Sequence, residues 1–364
     1  MENVMYLDLG EEPVRGTAQK TTIGTIPLLT TNFPVFEPDD RPRGEVRGEE
    51  SVLGDTLMIR HSAKWSWDFE IPFFCEAGTT IGMIGTLMKH FFGKVTTAEN
   101  ASTGQFNHSL YGVANPFATA NLGTKALTCN VNVTEGSVVK NWPFFGGRVT
   151  SLSLIQEAGE HLKLGVSMVG QGRDASTTAI ASPVYPPENQ RCDYNNLTLY
   201  SGTITPVGTG PDYTGFTYGS ADTIKPESMT LKLENGMVDN LRCGGVLYPD
   251  KTRMGKFSST LDVKIDLEAP GSGFDSVAEY NNWVDNGETE QSFNAYWNTG
   301  VVAGTAGDNY GLFADMPKMS RMGGDITRSL DDDPMVDLSY KGLYDASTAL
   351  YMVMLLLRNE ATAL

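Results

Sequence analysis

Histidine, cysteine and long apolar runs are all scarce in this 364-residue chain, and each scarcity removes a class of function. The four histidines, His61, His90, His108 and His161, form no HxH, HExxH or Cys/His spacing, so no transition-metal pattern is present. The four cysteines, Cys75, Cys129, Cys192 and Cys243, include no CxxC pair. Cys75 and Cys129 lie in alternating apolar runs, which predicts buried free thiols; a disulfide is possible but not suggested. The longest apolar run, residues 349–357, is about half of what a spanning helix needs. The first ten residues lack a basic and an apolar signal region. The expectation is a soluble chain made in a cytosol, without membrane insertion. The Asn-x-Ser/Thr triplets at Asn100, Asn107, Asn132 and Asn196 then read as chance.

Catalytic signatures are missing too. There is no GxSxG and no local Ser/His/Asp grouping. Gly78, Gly82 and Gly85 follow a strand-like stretch, but they have neither GxGxxG spacing nor a GK[ST] after them. Asp331, Asp332 and Asp333 lack the Asx/Gly alternation of a calcium loop and read as a solvated acidic turn. Trp65, Trp67, Trp142, Trp283 and Trp297 would suit sugar stacking, yet Trp65 and Trp67 fall on an apolar strand face where burial is the default. The expectation is no enzyme and no cofactor. Positive charge is also short: 27 Lys and Arg against 44 Asp and Glu leave a net charge of −17. That argues against a grip on phosphates. It is compatible with an acidic solvated surface, or with a wall that nucleic acid slides past.

What the chain does contain is glycine (39 residues), alternating strands and an internal echo. Residues 64–77, KWSWDFEIPFFCEA, return as residues 256–269, KFSSTLDVKIDLEA. A constant offset superposes Lys64 on Lys256, Ser66 on Ser258, Glu76 on Glu268 and Ala77 on Ala269. Phe69, Glu70, Ile71 and Phe73 then meet Leu261, Asp262, Val263 and Ile265. A helix-like segment follows both copies. A repeat of about half the chain predicts a duplicated β-rich unit. Glu76 and Glu268 are paired only through this repeat, which favours a structural turn role over acid/base work.

Taken in order, residues 1–50 are polar and turn-rich and predict an extended arm with little core of its own. Residues 51–176 form a first unit. In it, Trp65, Trp67, Phe69, Ile71 and Phe73 share one strand face, and Ser66, Asp68 and Glu70 the other. Thr79 or Thr80 can cap a helix running to about Phe92, with Gly93 at its end. Residues 94–122 read as a long loop carrying Phe106, Tyr111 and Phe117 for docking. A strand over 125–134 and a hairpin over 147–170 complete the unit, with Gly159 in the turn. Residues 177–226 are rich in Pro and Gly and read as a connecting excursion with one strand at 197–200. The second unit, 227–364, opens with a strand and an Asn235-Gly236 turn. The repeat strand follows, then a helix opened by capping-box spacing at Ser276 and Glu279. Short strands at 291–297 and 310–313 lead to a closing hairpin of 336–344 and 349–358.

The ordered set KWSWDFEIPFFCEAGTTIGMIGTLMKHFFG, GGRVTSLSLIQEAGEHLKLGVSMVGQG and MTLKLENGMVDN resembles the tail tube (major tail) proteins of long-tailed bacteriophages. The resemblance covers roughly residues 50–360 at the level of pattern. It implies a mainly β fold, a duplicated β-sandwich or half-barrel unit with one short flanking α-helix in each copy. It implies self-assembly into rings, three chains each if two units share a chain and six otherwise, stacked into a hollow tube in a virion tail put together in the host cytoplasm. Further implied partners are the tape measure, tail terminator and tip proteins, and viral DNA passing without sequence-specific binding. Under this reading Asp68, Glu70, Asp262 and Lys264 are candidate lumen-facing residues, and Phe106, Tyr111 and Phe117 candidate inter-ring contacts. The competing reading is a carbohydrate-binding or adhesive β-sandwich module of a virion.

Overall fold

A computed structural model of the chain describes residues 5–20, 23–30, 32–42, 58–75, 83–100, 103–113, 116–118, 121–135, 138–178, 183–209, 212–219, 221–240, 251–268, 273–287, 290–305, 308–327, 334–346 and 351–364. The fold is mainly β. The strands are β1 (Met5–Glu12), β2 (Gly24–Ile26), β3 (Val35–Pro42), β4 (Met58–Pro72), β5 (Val95–Glu99), β6 (Phe106–Tyr111), β7 (Ala126–Glu135), β8 (Val138–Glu157), β9 (Lys163–Gly170), β10 (Gly172–Arg173) and β11 (Thr177–Thr178). They continue as β12 (Leu197–Ser201), β13 (Ile204–Thr209), β14 (Asp212–Tyr218), β15 (Asp222–Ile224), β16 (Ser228–Glu234), β17 (Val238–Asn240), β18 (Lys251–Arg253), β19 (Ser258–Asp266), β20 (Glu290–Val302), β21 (Asn309–Gly323), β22 (Ile326–Thr327), β23 (Met335–Gly342) and β24 (Met354–Asn359). Helix α1 (Met83–Phe92) follows β4, and α2 (Ser276–Asn286) follows β19.

One antiparallel sheet runs β3-β4-β9-β8-β16-β19-β23-β21. Its inner face is apolar because its strands alternate strictly: Phe69 and Ile71, Leu164 and Val166, Leu152 and Leu154, Leu231 and Leu233, Leu261 and Val263, and Leu338 and Tyr340 are all buried. A second layer closes the core as β2-β1-β7-β8 on one side and β15-β12-β20-β21-β24-β6-β5 on the other. Strands β8 and β21 belong to both layers. The first half of β8 pairs β7, and its second half pairs β9. Likewise β21 pairs β20 and β24 early and β23 late. Such corner strands bend at register irregularities, here between Val149 and Ser151 and between Arg321 and Gly323.

The pairings occur as two matching sets. β1–β2, β1–β7, β7–β8, β3–β4, β4–β9 and β8–β9 are antiparallel. So are β12–β15, β12–β20, β20–β21, β16–β19, β19–β23 and β21–β23, in the same chain order. The sets differ in extra hairpins: β5–β6 in the first, β13–β14 and β17–β18 in the second.

Several expectations are corrected. Residues 5–12 are not part of an arm without a core: β1 lies between β2 and β7, with Leu7 and Leu9 buried, because its apolar positions complete the outer layer. The stretch 94–122 is not one long loop but holds the β5–β6 hairpin, which β24 extends. The 177–226 excursion carries β12, which pairs β20 within the second layer, and a hairpin folded back on itself. The closing segments do not form a hairpin: β23 pairs β19 and β21, whereas β24 pairs β21 and β6. Helix α2 is capped by Asp275, whose Oδ1 accepts from Ala278 N at 2.7 Å. Ser276 Oγ instead ties down the end of β19, accepting from Glu268 N and donating to Asp266 O. Thr79, Thr80, Glu76, Cys243 and the triple aspartate at 331–333 lie outside the described residues.

The repeat strand itself behaves as its alternation predicts. Trp65, Trp67, Phe69, Ile71 and Phe73 are all within 2% of full burial, and Leu261, Val263 and Ile265 are buried at the offset positions. Gly170 is required opposite Trp65, since a Cβ there would sit 2.2 Å from the indole ring. Against this face pack Ile84, Leu87, Met88 and Phe91 of α1, which ends at Gly93 in the left-handed region (φ +90°).

Candidate functional site

Cross-strand register places the solvent face of the eight-stranded sheet in four rows. Glu70, Gly165, Ser153, Lys232, Thr260 and Lys341 form one, and Asp68, Ser167, Ser151, Glu234 and Ser258 the next. Lys163, Ile155, Thr230, Asp262 and Ser339 form a third, and Glu157, Ser228, Lys264 and Asp337 a fourth. Eight of these positions are Ser or Thr, six are acidic, four are Lys, and Ile155 is the single large apolar side chain. All four sequence-derived candidates, Asp68, Glu70, Asp262 and Lys264, therefore stand on one face of one sheet, although 194 positions separate Asp68 from Asp262. Asp68 and Asp262 are exposed, and Glu70 and Lys264 half-buried.

The lysines of this face are largely matched by neighbouring acids. Lys264 meets Glu227 at 2.7 Å and Lys232 meets Glu234 at 2.6 Å, while Lys163 pairs with Glu160. Ser339 donates to Asp262. Exposed pairs of this kind contribute little to stability. Their effect is to leave a hydroxyl-rich face on which three of the four lysines have an acidic partner. A phosphate approaching it meets a slight excess of acid, six carboxylates against four lysines.

The aromatic candidates are not gathered into one site. Phe106 and Tyr111 sit at opposite ends of β6 and are half-buried; the Tyr111 ring lies 6.5 Å from Tyr351. Phe117 lies 4.8 Å from the Arg148 guanidinium. The tryptophans are also engaged. Trp65 and Trp297 are fully buried, and Trp67 nearly so. Arg173 covers Trp142 at 4.9 Å, and Arg321 covers Trp283 at 5.0 Å. None of the five presents the bare ring that sugar stacking needs.

The ends of the sheet carry exposed apolar residues. Beside β3 these are Leu29, Phe33 and Val35; near β21, β22 and α2 they are Met322, Ile326 and Val284. Pro38 and Pro42 in β3, and Pro34 just before it, have no backbone N–H to offer a further strand. Sequence reasoning missed these ends, because isolated exposed valines and methionines have no period. It also missed the serines of β8 and β9, although their alternation in RVTSLSLIQ and LKLGVSMVG was legible.

Buried charge elsewhere serves packing. Each corner strand holds a buried arginine. Arg148 Nη1 donates to Lys125 O, and Arg321 Nη1 donates to Glu279 O at 2.7 Å beneath Tyr280 and Trp283. Burial alone would raise the Glu11 carboxyl, but hydrogen bonds from His90 and Lys125 and the charge of Lys89 hold it well below the usual range. A cleft of about 640 Å³ beside α2 is lined by Asp222, Asp275 and Glu279 among others. Glu279 is committed there to Gln291, Tyr340 and Arg321. Among the described residues no three His, Cys, Asp or Glu side chains gather to hold a metal ion, and no helix is long and apolar enough to cross a membrane. No family model and no curated protein sequence matches the chain.

Proposed function

We propose that the chain is a structural subunit of a long-tailed bacteriophage tail tube, without catalysis. Copies close into a ring, and rings stack into a hollow channel through which double-stranded DNA passes. The observation that carries this reading is the eight-stranded sheet with one face in the core and the other polar, hydroxyl-rich and slightly acidic. Such a face suits the lumen of a DNA conduit, where a polyanion must pass without being held.

The two matching sets of pairings support a duplicated unit, in which β3-β4-β9-β8 corresponds to β16-β19-β23-β21. Strands β8 and β16 join these sets within one chain. On this reading three chains suffice for a pseudo-sixfold ring. The two sheet ends, with Phe33 and Val35 at one and Met322 and Ile326 at the other, meet head to tail between copies, and closure removes both exposed edges. The prolines of β3 place the weight of that contact on side chains. Phe106, Tyr111 and Phe117, together with the tape measure, terminator and tip proteins, belong to contacts along the tube and at its ends. The place of action is the virion tail, after assembly in the host cytoplasm.

Negative-stain microscopy of the purified protein tests the reading. Rings or hollow tubes are expected. A monodisperse monomer that binds glycans would overturn it in favour of an adhesive β-sandwich module.

A further inference from the structure

Two thiols from distant parts of the chain meet in the core. Cys75 Sγ and Cys192 Sγ lie 3.4 Å apart, both fully buried, with 117 positions between them. The backbone brings them together. Cys75 N donates to Gln190 O at 2.9 Å, Cys192 N donates to Phe73 O at 3.1 Å, and Phe74 and Arg191 form an antiparallel bridge between those bonds. The two cysteines therefore flank one short ladder on the same side of it. One strand of that ladder is the chain just beyond β4. The other is the short stretch between two 3-10 turns, Glu188–Gln190 and Tyr194–Asn196, that leads into β12.

We propose that Cys75 and Cys192 form a reversible disulfide that ties the end of β4 to the segment entering β12. The reaction needs an oxidant, which we take to be a small-molecule disulfide such as oxidised glutathione. The thiolate of one cysteine attacks a sulfur of the oxidant, forms a mixed disulfide and releases one glutathione thiolate. The thiolate of the second cysteine attacks the protein sulfur of that mixed disulfide and releases the other. Two protein thiols thus lose two protons and two electrons, and one oxidised glutathione becomes two reduced ones. Access comes through local opening of the surface turn at Glu188–Gln190, whose Glu188 side chain is largely exposed. Burial excludes bulky adducts as end products, because the second thiol is already in van der Waals contact with the first. In a reducing compartment the pair stays as thiols, and once outside it the bond forms. The long loop it closes makes the bond effective, since the crosslink restricts the unfolded chain over more than a hundred residues.

Cys129 is a control within the same molecule. It is buried 3.7 Å from Met168 Sδ and has no thiol partner among the described residues, and burial pushes its thiol well above the usual range, away from the thiolate. The test is to incubate the purified full chain with oxidised glutathione at pH 8, quench with an alkylating agent and map peptides without reduction. A crosslinked peptide pair holding Cys75 and Cys192 is expected, with titratable thiols falling from four to two. A rise in Tm of about 5 °C should accompany it and vanish with dithiothreitol. The rise should be absent from Cys192→Ser. If that variant does not fold, Cys75→Ala supplies the comparison, and the peptide map of the unaltered chain decides alone. Four persistent thiols, glutathione retained on either cysteine, or a crosslink involving Cys129 would overturn the proposal.

Discussion

Asn235 reaches across the molecule to Phe91. Its Nδ2 donates to the Phe91 carbonyl at 3.2 Å, in the last turn of α1, and to the Val149 carbonyl at 2.9 Å, where β8 turns from one layer to the other. Its Oδ1 accepts from Met237 N at 3.1 Å, holding the turn that follows β16. Fully buried, this one amide connects the helix of the first strand set to the turn after β16 in the second. Asn235→Ala strands two buried carbonyls and is expected to cost about 2–4 kcal/mol. Urea unfolding followed by tryptophan fluorescence measures it. A change under 1 kcal/mol would mean that the two sets are held together elsewhere.

The first strand is part of the fold. Leu9 is fully buried in β1, opposite Cys129 of β7. Leu9→Ala is expected to cost about 2–5 kcal/mol. Removing residues 1–45 deletes β1, β2 and β3 together and should abolish cooperative unfolding, rather than leave intact rings that fail to stack. Circular dichroism during a thermal scan distinguishes these outcomes.

Burial pushes Asp315 up to about 6, although it accepts from Tyr351 Oη at 2.6 Å and from Asn294 Nδ2 at 3.0 Å. Because the folded value lies above the ordinary one, this group's contribution is full below about pH 4 and is lost as pH rises through about 6. Burial raises Asp8 and Glu12 in the same sense. His90 acts oppositely. Burial lowers it to about 4, so its contribution is present above pH 6.5 and is lost as pH falls through 4. Asp315→Asn removes this buried ionisation, and stability at pH 7.5 should rise by roughly 1–3 kcal/mol. Stability measured from pH 4 to 8 in both proteins checks this. Identical profiles would show that Asp315 is not the group responsible.

The sheet ends can be separated from the fold. Val35 is 58% exposed and Met322 59% exposed, so Val35→Lys and Met322→Lys should leave Tm within about 2 °C. If these ends meet between copies, each substitution desolvates a lysine in the junction, and assembly seen by light scattering should fall at least tenfold. Unchanged assembly with both substitutions would move the contact to another surface.

The inner face of the sheet was readable from sequence because it obeys a period of two: Trp65 to Phe73 and Leu261 to Ile265 fall where alternation puts them. The hairpin around Gly159 was readable for the same reason. Strand partners at long range were not, since nothing in residues 349–358 tells that Leu355 will face Leu110 rather than a residue of β23. Leu7 and Leu9 were hidden by their setting: a short apolar run followed by prolines and mixed charge looks unsupported until β7 lies beside it. The α2 cap was misplaced by one residue because Asp275 and Ser276 both carry capping side chains, and only the fold shows Ser276 occupied by the end of β19. Asp68, Glu70, Asp262 and Lys264 were identifiable as outward positions on two separate strands. That they share one face depends on the Leu154–Leu231 pairing between β8 and β16, which alternation cannot reveal.

Whether one chain supplies two units of a closed wall is decided by native mass spectrometry of the assembled ring. A closed species of three chains, each of 39.5 kDa, is expected. A ring of six chains, or a protein that stays monomeric at every concentration, would contradict it.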